Sequence, residues 1–159
     1  MPDLVSQHTG SARSPVKGIA LEDMEFPAPA EGIVVTHFVV VADVPTSAAF
    51  YREVLGGTIV MEGPPSIVKL ANTWIIINEG GGPTDDKPGV VLEVPDDPHR
   101  ASAFLNIRVA DIQQAYADWS ARGATFLTPP IDRGAEIRCY MRDPDGHLIE
   151  VGQATGALG

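Results

Sequence analysis

Runs of β-branched and aromatic residues alternate with helical patterns along most of the chain. Residues 33–41 form such a run, which is typical of a β-strand. Pro45 then suits the first turn of a helix, where its missing N–H costs nothing. One face of this predicted helix carries the apolar residues Val44, Ala48, Tyr51 and Leu55. Gly56 and Gly57 are expected to end it.

The order strand, helix, strand, strand, strand occurs twice. After the first helix, strands are predicted at 58–61, 66–70 and 73–78. A new strand is predicted at 104–109, followed by a helix that Asp111 caps and Gly123 ends. One face of that helix carries Ile112, Tyr116 and Trp119. The last predicted strands are 125–127, 136–141 and 147–151, with a Pro-Asp-Gly turn between the final two.

The two halves also share sequence. Val-Ala-Asp-Val at 41–44 recurs as Val-Ala-Asp-Ile at 109–112, and an aromatic residue follows each aspartate at the same distance, Tyr51 and Trp119. The sequence therefore predicts an α+β fold of two βαβββ modules, at about 33–79 and 103–152. The modules are expected to pair into a curved mixed sheet around a cavity, within a single domain at 32–153.

The chain ends differ from this domain in composition. Residues 1–31 contain four prolines and several serines and glycines, without a sustained period of either strand or helix. They are expected to form a flexible tail, although 19–26 contains apolar residues that would allow docking on the domain. Residues 154–159 are expected to form a short C-terminal tail.

Charge and cysteine content exclude several classes of function. The 159 residues carry 21 acidic and 11 basic side chains, a formal net charge of −10, which disfavours nucleic acid and anionic membranes as partners. Cys139 is the sole cysteine, so an internal disulfide or a multi-cysteine zinc site is excluded. Apolar runs fall far short of the roughly 20 residues of a membrane helix. Without a recognisable signal peptide, a cytoplasmic location is expected.

Two stretches carry a resemblance to a known family. Val41-Ala42-Asp43 with Ala-Phe-Tyr-Arg-Glu-Val-Leu-Gly at 49–56, and Arg-Asp-Pro-Asp-Gly-His-Leu-Ile-Glu at 142–150, resemble the vicinal oxygen chelate superfamily. This superfamily includes glyoxalase I, extradiol dioxygenases, fosfomycin resistance enzymes and bleomycin-binding proteins. The resemblance covers about 33–152 and implies the glyoxalase-like fold. Because members include isomerases, lyases, dioxygenases and non-catalytic binders, it implies no single activity.

The resemblance implies a divalent metal ion held by His and Glu side chains on the cavity side of the sheet. Glu150 matches the final carboxylate ligand. The first ligand position is occupied by Thr36, with His37 one residue later, and strand alternation would turn His37 away from the cavity unless a β-bulge intervenes. A second ligand position holds Phe104, which cannot coordinate a metal. The ligand set is therefore incomplete, with Glu150 and His37 as its candidates.

Strand alternation also predicts polar side chains beside Glu150. The series expected to face the cavity comprises Phe104, Asn106 and Arg108 on one strand and Arg138, Tyr140 and Arg142 on another. We expect substrate contacts from Phe104, Asn106, Arg108 and Arg138, and catalytic roles for Glu150 and Tyr140. The alternative is that Glu150 forms an internal ion pair with Arg108 or Arg138.

These features predict a glyoxalase-like enzyme with an altered or incomplete metal site. Its chemistry would be proton transfer, isomerisation or lyase cleavage of an oxygen-rich small molecule, without any cofactor other than a divalent metal ion. The alternative is a non-catalytic protein that binds a small molecule or sequesters an antibiotic, as bleomycin-resistance relatives do. Superfamily relatives often dimerise, so a homodimer is expected, which light scattering would test.

Overall fold

Both predicted modules are present in a computed structural model, which describes residues 23–156 of the chain. The first module consists of β1 His37–Val41, α1 Val44–Glu53, β2 Thr58–Met61, β3 Ser66–Leu70 and β4 Thr73–Glu79. The second consists of β5 Leu105–Arg108, α2 Ile112–Ala121, β6 Thr125–Phe126, β7 Ile131–Asp132, β8 Glu136–Arg142 and β9 Leu148–Ala154. Both helices begin at an aspartate whose side chain accepts a backbone N–H of the first turn. The sequence predicted this cap for Asp111 of α2, whereas the cap by Asp43 of α1 was not predicted.

Each module forms its own mixed sheet. The first has the strand order β1-β4-β3-β2 and the second β5-β9-β8-β6, with the short β7 also paired to β8. In each module the first strand runs parallel to the last, and the remaining neighbours are antiparallel. The predicted fold class is confirmed. Among the described strands, no ladder joins the two sheets within one chain.

A shared hydrophobic core holds the modules together. Buried side chains from both sheets and both helices belong to one cluster, which includes Val39 and Ile75 from the first module and Met141 and Val151 from the second. Each sheet therefore has a core face toward the helices and an opposite face, which we call its open face. Within residues 23–156, no helix has the length and apolar character needed to cross a bilayer.

The turn between β8 and β9 ties the second module to the first. Asp143, 5% exposed, accepts a hydrogen bond of 2.9 Å from the Tyr51 hydroxyl of α1. Asp145 accepts from the Ala42 backbone N–H and from the Ser47 hydroxyl. The Nε2 atom of His147 lies 2.8 Å from the Val40 carbonyl oxygen, so it donates in that bond. Burial raises the pKa values of both Tyr51 and Asp143, because each loses solvation of its charged form.

The segment before β1 crosses the open face of the first sheet. The Trp74 indole N–H donates to the Glu25 carbonyl at 2.8 Å, and the Thr73 hydroxyl donates to the Val35 carbonyl at 3.0 Å. Trp74 is fully buried although it lies on the open face, opposite in direction to its core-facing neighbour Ile75. Of the predicted tail, residues 1–22 lie outside the described residues, as do 157–159 at the other end.

The buried bond between Tyr51 and Asp143 gives a stability prediction. The substitution Tyr51→Phe removes the donor to a buried carboxylate oxygen, and this loss is expected to lower the free energy of unfolding by about 1–3 kcal/mol. Urea denaturation followed by circular dichroism measures the change. The control is Tyr116→Phe, whose half-buried ring packs on Phe126 and should change stability by less than about 0.5 kcal/mol. Equal effects of the two substitutions would contradict the prediction.

Candidate functional site

Strand pairing brings the predicted polar residues together on the open face of the second sheet. Glu150 of β9 is aligned with Asn106 of β5 on one side and with Tyr140 of β8 on the other. The neighbouring register places Arg108 and Arg138 on either side of Gly152. The apolar residues between these positions face the core, as strand alternation predicts.

Two arginines and two glutamates form a network on this face. The Arg108 Nη1 lies 2.8 Å from Glu136 Oε2 and 3.9 Å from Glu150 Oε1. The Arg138 Nη1 donates to the other Glu136 oxygen at 3.2 Å. Glu136 therefore bridges the two guanidinium groups, while Arg108 also approaches the buried Glu150. The predicted internal ion pair of Glu150 with Arg108 is present, with 3.9 Å between Arg108 Nη1 and Glu150 Oε1.

Tyr140 supplies the closest partner of Glu150. Its hydroxyl donates to Glu150 Oε2 at 2.8 Å, and Glu150 is 8% exposed. This hydrogen bond, together with burial and the negative charge of Glu150, raises the pKa of Tyr140, so the hydroxyl holds its proton at neutral pH. Phe104, half-exposed at the edge of the same face, contacts the Tyr140 ring edge-on with centroids 6.1 Å apart. The face thus presents aromatic as well as charged groups.

Gly152 makes room for the Arg108 side chain. A Cβ atom at this position would lie 2.0 Å from the Arg108 Nη1 and 2.8 Å from its Cζ. Any larger residue would displace the guanidinium from Glu136 and Glu150. The absence of a side chain at position 152 is therefore part of what builds the site.

Beside this network is an open pocket of about 620 Å³, lined by the two arginines, Arg133, Glu136 and small residues from the end of β9. The side chains of Arg108 and Arg138 are 47% and 37% exposed, so both are accessible from the pocket. The contacts described above use the Nη1 atom of each guanidinium. Because a guanidinium has five N–H donors, donors remain for a bound molecule.

His37 lies elsewhere in the molecule. Because β1 pairs with β4 in an unbroken register, His37 shares the core face with Val39 and Val41. Burial lowers the pKa of His37, the nearby His147 lowers it further, and Asp143 opposes both effects. His37 is thus at the junction of the modules near the β8–β9 turn. The structure does not bring it together with Glu150, because the β-bulge that would have turned it is not present.

The donor set around Glu150 does not fit the divalent metal that the family resemblance implies. Among residues 23–156, no three His, Cys, Asp or Glu side chains cluster in a way that would hold a metal ion. Glu136, the carboxylate beside Glu150, is engaged by two guanidinium groups, and Arg108 also approaches Glu150, so arginines supply positive charge where a metal would.

Cys139 takes no part in this face. It is buried in the core, and burial raises the pKa of its thiol to about 11. A thiol in that state is a small core side chain rather than a nucleophile.

The sequence interpretation missed Glu136, which lies at the centre of the network. Strand alternation could have identified it, because Glu136, Arg138 and Tyr140 are every second residue of β8 and therefore face the same side. Its contact with Arg108 of β5 spans β9 and required the three-dimensional register. Asn106 is placed beside Glu150 as predicted and is exposed.

The network gives a prediction about ionisation. Hydrogen bonds from Arg108 and then Arg138 lower the pKa of Glu136 below its ordinary value of about 4.3. This pairing therefore stabilises the fold above that ordinary value and is lost as pH falls through the lowered one. Carboxyl-carbon NMR titration should show the Glu136 pKa rising in Arg138→Gln and unchanged in Arg52→Gln. An identical Glu136 pKa in wild type and Arg138→Gln would refute the pairing.

The chain is similar to several solved structures. An integron cassette protein from the mobile metagenome of V. cholerae is 29% identical, with a TM-score of 0.58, over 77% of this chain and 96% of that one. A glyoxalase/bleomycin resistance protein/dioxygenase from Nocardioides is 19% identical, with a TM-score of 0.63. The match covers 81% of this chain and 87% of that one. An antibiotic binding protein from a Streptomyces species is 20% identical, with a TM-score of 0.57, over 80% and 100%.

Because the Nocardioides and Streptomyces proteins are only 19% and 20% identical to the chain, their similarity shows the fold alone. No curated protein sequence matches the chain significantly. The model of the Glyoxalase/Bleomycin resistance protein/Dioxygenase superfamily matches residues 33–151, which is well over half of the chain. That range contains both modules, from just before β1 into β9. The chain therefore belongs to the Glyoxalase/Bleomycin resistance protein/Dioxygenase superfamily.

Proposed function

We propose that the protein binds an oxygen-rich, anionic small molecule on the open face of the second sheet, without a metal ion. The observation that carries this proposal is the pair of half-exposed arginines, Arg108 and Arg138, held in place by Glu136 beside a pocket. Guanidinium groups fixed in this way present a rigid fork of donors that matches a carboxylate or phosphate.

The remaining chemistry of the face suits the same ligand. Tyr140 and Phe104 offer aromatic surface next to the arginines, and ligand pockets typically combine apolar walls with a few fixed polar groups. Glu150 is held by Tyr140 and lies close to Arg108, so its charge is compensated inside the protein. The local balance of charge therefore leaves the arginine donors as the main attraction for an anion.

The described open face of the first module is more apolar than that of the second. It carries Phe38, Val40 and Ile76, and its charged side chain Lys69 lies over the Trp74 ring, 5.6 Å from the ring centroid. Trp74, on the same face, is covered by the segment that contains Glu25. The polar face of the second module is consequently the stronger candidate.

A second candidate function is catalysis of proton transfer. The Tyr140–Glu150 hydrogen bond favours it, because a buried carboxylate beside a protonated phenol is an arrangement used for general acid–base chemistry. Glu150 would accept a proton from a carbon next to a substrate carbonyl, and Arg108 would stabilise the negative oxygen that develops. Isomerisation or lyase cleavage would then follow without a metal ion.

Titration with benzoate tests the binding proposal. Benzoate is expected to shift the amide NMR resonances of β8 and β9 around Arg138 and Glu150, whereas neutral benzamide is not. Arg138→Gln removes one charge-assisted contact and should weaken benzoate binding about tenfold. Arg52→Gln, an equal change of charge on α1, should leave the affinity unaltered. Equal shifts with benzoate and benzamide, or an unchanged affinity in Arg138→Gln, would reject the proposal.

Glu150→Gln separates the two candidate functions. This variant keeps a hydrogen-bonding side chain of similar shape but cannot accept a proton as a base. If the protein is only a binder, benzoate affinity changes little and no turnover depends on the residue. If it is an enzyme acting through Glu150, ligand binding persists while turnover of the substrate is lost.

A further inference from the structure

The open face of the second sheet has a second pocket at its other end. This pocket, of about 380 Å³, is lined by Tyr140, Arg142 and Leu148 of β8 and β9 and by His99 from the segment between the modules. The first pocket lies at the opposite end of β8, beside Arg138. Tyr140, with Glu150 next to it, stands between the two pockets. One continuous face thus carries two depressions separated by an aromatic ring.

Arginine side chains line both pockets. Arg108, Arg133 and Arg138 line the first, and Arg142 lines the second. Four of the chain's eight arginines are therefore on this face, although the chain as a whole carries a net charge of −10. Glu136 lines the first pocket and Glu150 stands between the two, so four arginines share this face with two carboxylates. This surplus of positive charge on an otherwise acidic protein favours an anionic ligand.

Strand geometry fixes the separation of the two cationic positions. Arg138 and Arg142 are four residues apart on β8 and point to the same side, which corresponds to about 13 Å along an extended strand. The Arg142 Nη1 donates to the Gly146 carbonyl at 3.1 Å, which orients its guanidinium at the β8–β9 turn. Arg138 is oriented in the same way by Glu136. Both guanidinium groups are thus oriented, and the backbone positions that carry them are about 13 Å apart.

We propose that the ligand is an elongated dianion, with one anionic group at Arg138 and Arg108 and the other at Arg142. Its uncharged middle crosses Tyr140, where Phe104 and the half-exposed Leu127 provide apolar surface. Arg142 is the residue that determines specificity for length, because it is the cation farther from the main network. This inference rests on the proposed binding function and narrows the class of ligand.

Straight-chain carboxylates of graded length test the dianion directly. The probes are succinate, suberate and dodecanedioate, with dodecanoate as a monoanion of matched length. Affinity is expected to rise along the diacid series, and dodecanedioate is expected to bind about tenfold more tightly than dodecanoate, because it gains a second charge-assisted contact. Binding is measured by NMR titration, with resonances followed near Arg138 and near Arg142 separately.

Variants of Arg142 locate the second contact. Arg142→Gln should remove the advantage of dodecanedioate over dodecanoate. Arg142→Lys keeps the charge and should retain most of the advantage, which distinguishes a lost contact from a damaged turn. Arg52→Gln, matched in charge change but on α1, should behave as wild type. Thermal unfolding by circular dichroism checks that each variant is folded.

The outcomes separate this inference from the proposed function. If dodecanoate and dodecanedioate bind equally, with shifts confined to the surroundings of Arg138, the binding function stands and the dianion is wrong. If neither probe nor benzoate shifts any resonance of β8, the proposed function itself fails. A length dependence that survives unchanged in Arg142→Gln would also overturn the assignment of the second anion to that residue.

Discussion

The candidate site depends on the two contacts of the Arg108 guanidinium, one with Glu136 and one with Glu150. Glu150 is almost completely buried, and a buried carboxylate requires a compensating charge or hydrogen bonds. Tyr140 provides the hydrogen bond and Arg108 provides the charge. Glu136 then orients Arg108 together with Arg138, so one carboxylate fixes both cations. Removal of Arg108 would leave the buried Glu150 without the guanidinium that approaches it and with Tyr140 as its hydrogen-bond donor.

The β8–β9 turn connects this network to the rest of the fold. Asp143 and Asp145 bond to α1 and to the end of β1, so the turn is anchored in the first module. β8 and β9 extend from this turn as an antiparallel pair, and their register places Tyr140 opposite Glu150. The contact between modules and the geometry of the site therefore have a common origin. The first module acts as a support, and its own open face is partly covered by the segment containing Glu25.

Local sequence patterns were sufficient for most of the elements and for the direction of their side chains, although the first strand begins at His37 rather than at residue 33. The alternation in 104–109 and 136–141 correctly placed Asn106, Arg108, Arg138 and Tyr140 on the face of Glu150, because a strand has a strict period of two. The same rule indicated that His37 would face away, and the unbroken β1–β4 register agrees. These inferences need only neighbouring residues and no knowledge of distant contacts.

Contacts between residues far apart in the sequence could not be predicted from those local patterns. The bridge from Glu136 to Arg108 joins residues on strands that are not adjacent, and its formation depends on the missing side chain at Gly152. The burial of Trp74 depends on where a segment without helix or strand periodicity settles. The short β7 has two residues, too few for any period to appear. Each of these depends on tertiary contacts, which a single sequence does not encode in its local pattern.

Family membership favours a metal ion at the site, whereas the side chains around Glu150 do not. Many members of the family that the motifs resemble hold a divalent ion, whereas here guanidinium groups occupy the neighbourhood of the matching carboxylate. In our account the arginines are the source of positive charge at this site. The expected ligand is therefore one that accepts hydrogen bonds from arginine rather than one that chelates a metal.

Metal content tests this account most directly. Wild type and Glu150→Ala are purified without chelator or affinity-tag metal, incubated with Mn²⁺, Ni²⁺ or Zn²⁺, dialysed and analysed by mass spectrometry for bound metal. The account predicts that neither protein retains a stoichiometric amount of any of the three ions. A stoichiometric ion retained by wild type and lost from Glu150→Ala would contradict it, because Glu150 would then be a metal ligand rather than the partner of Arg108 and Tyr140.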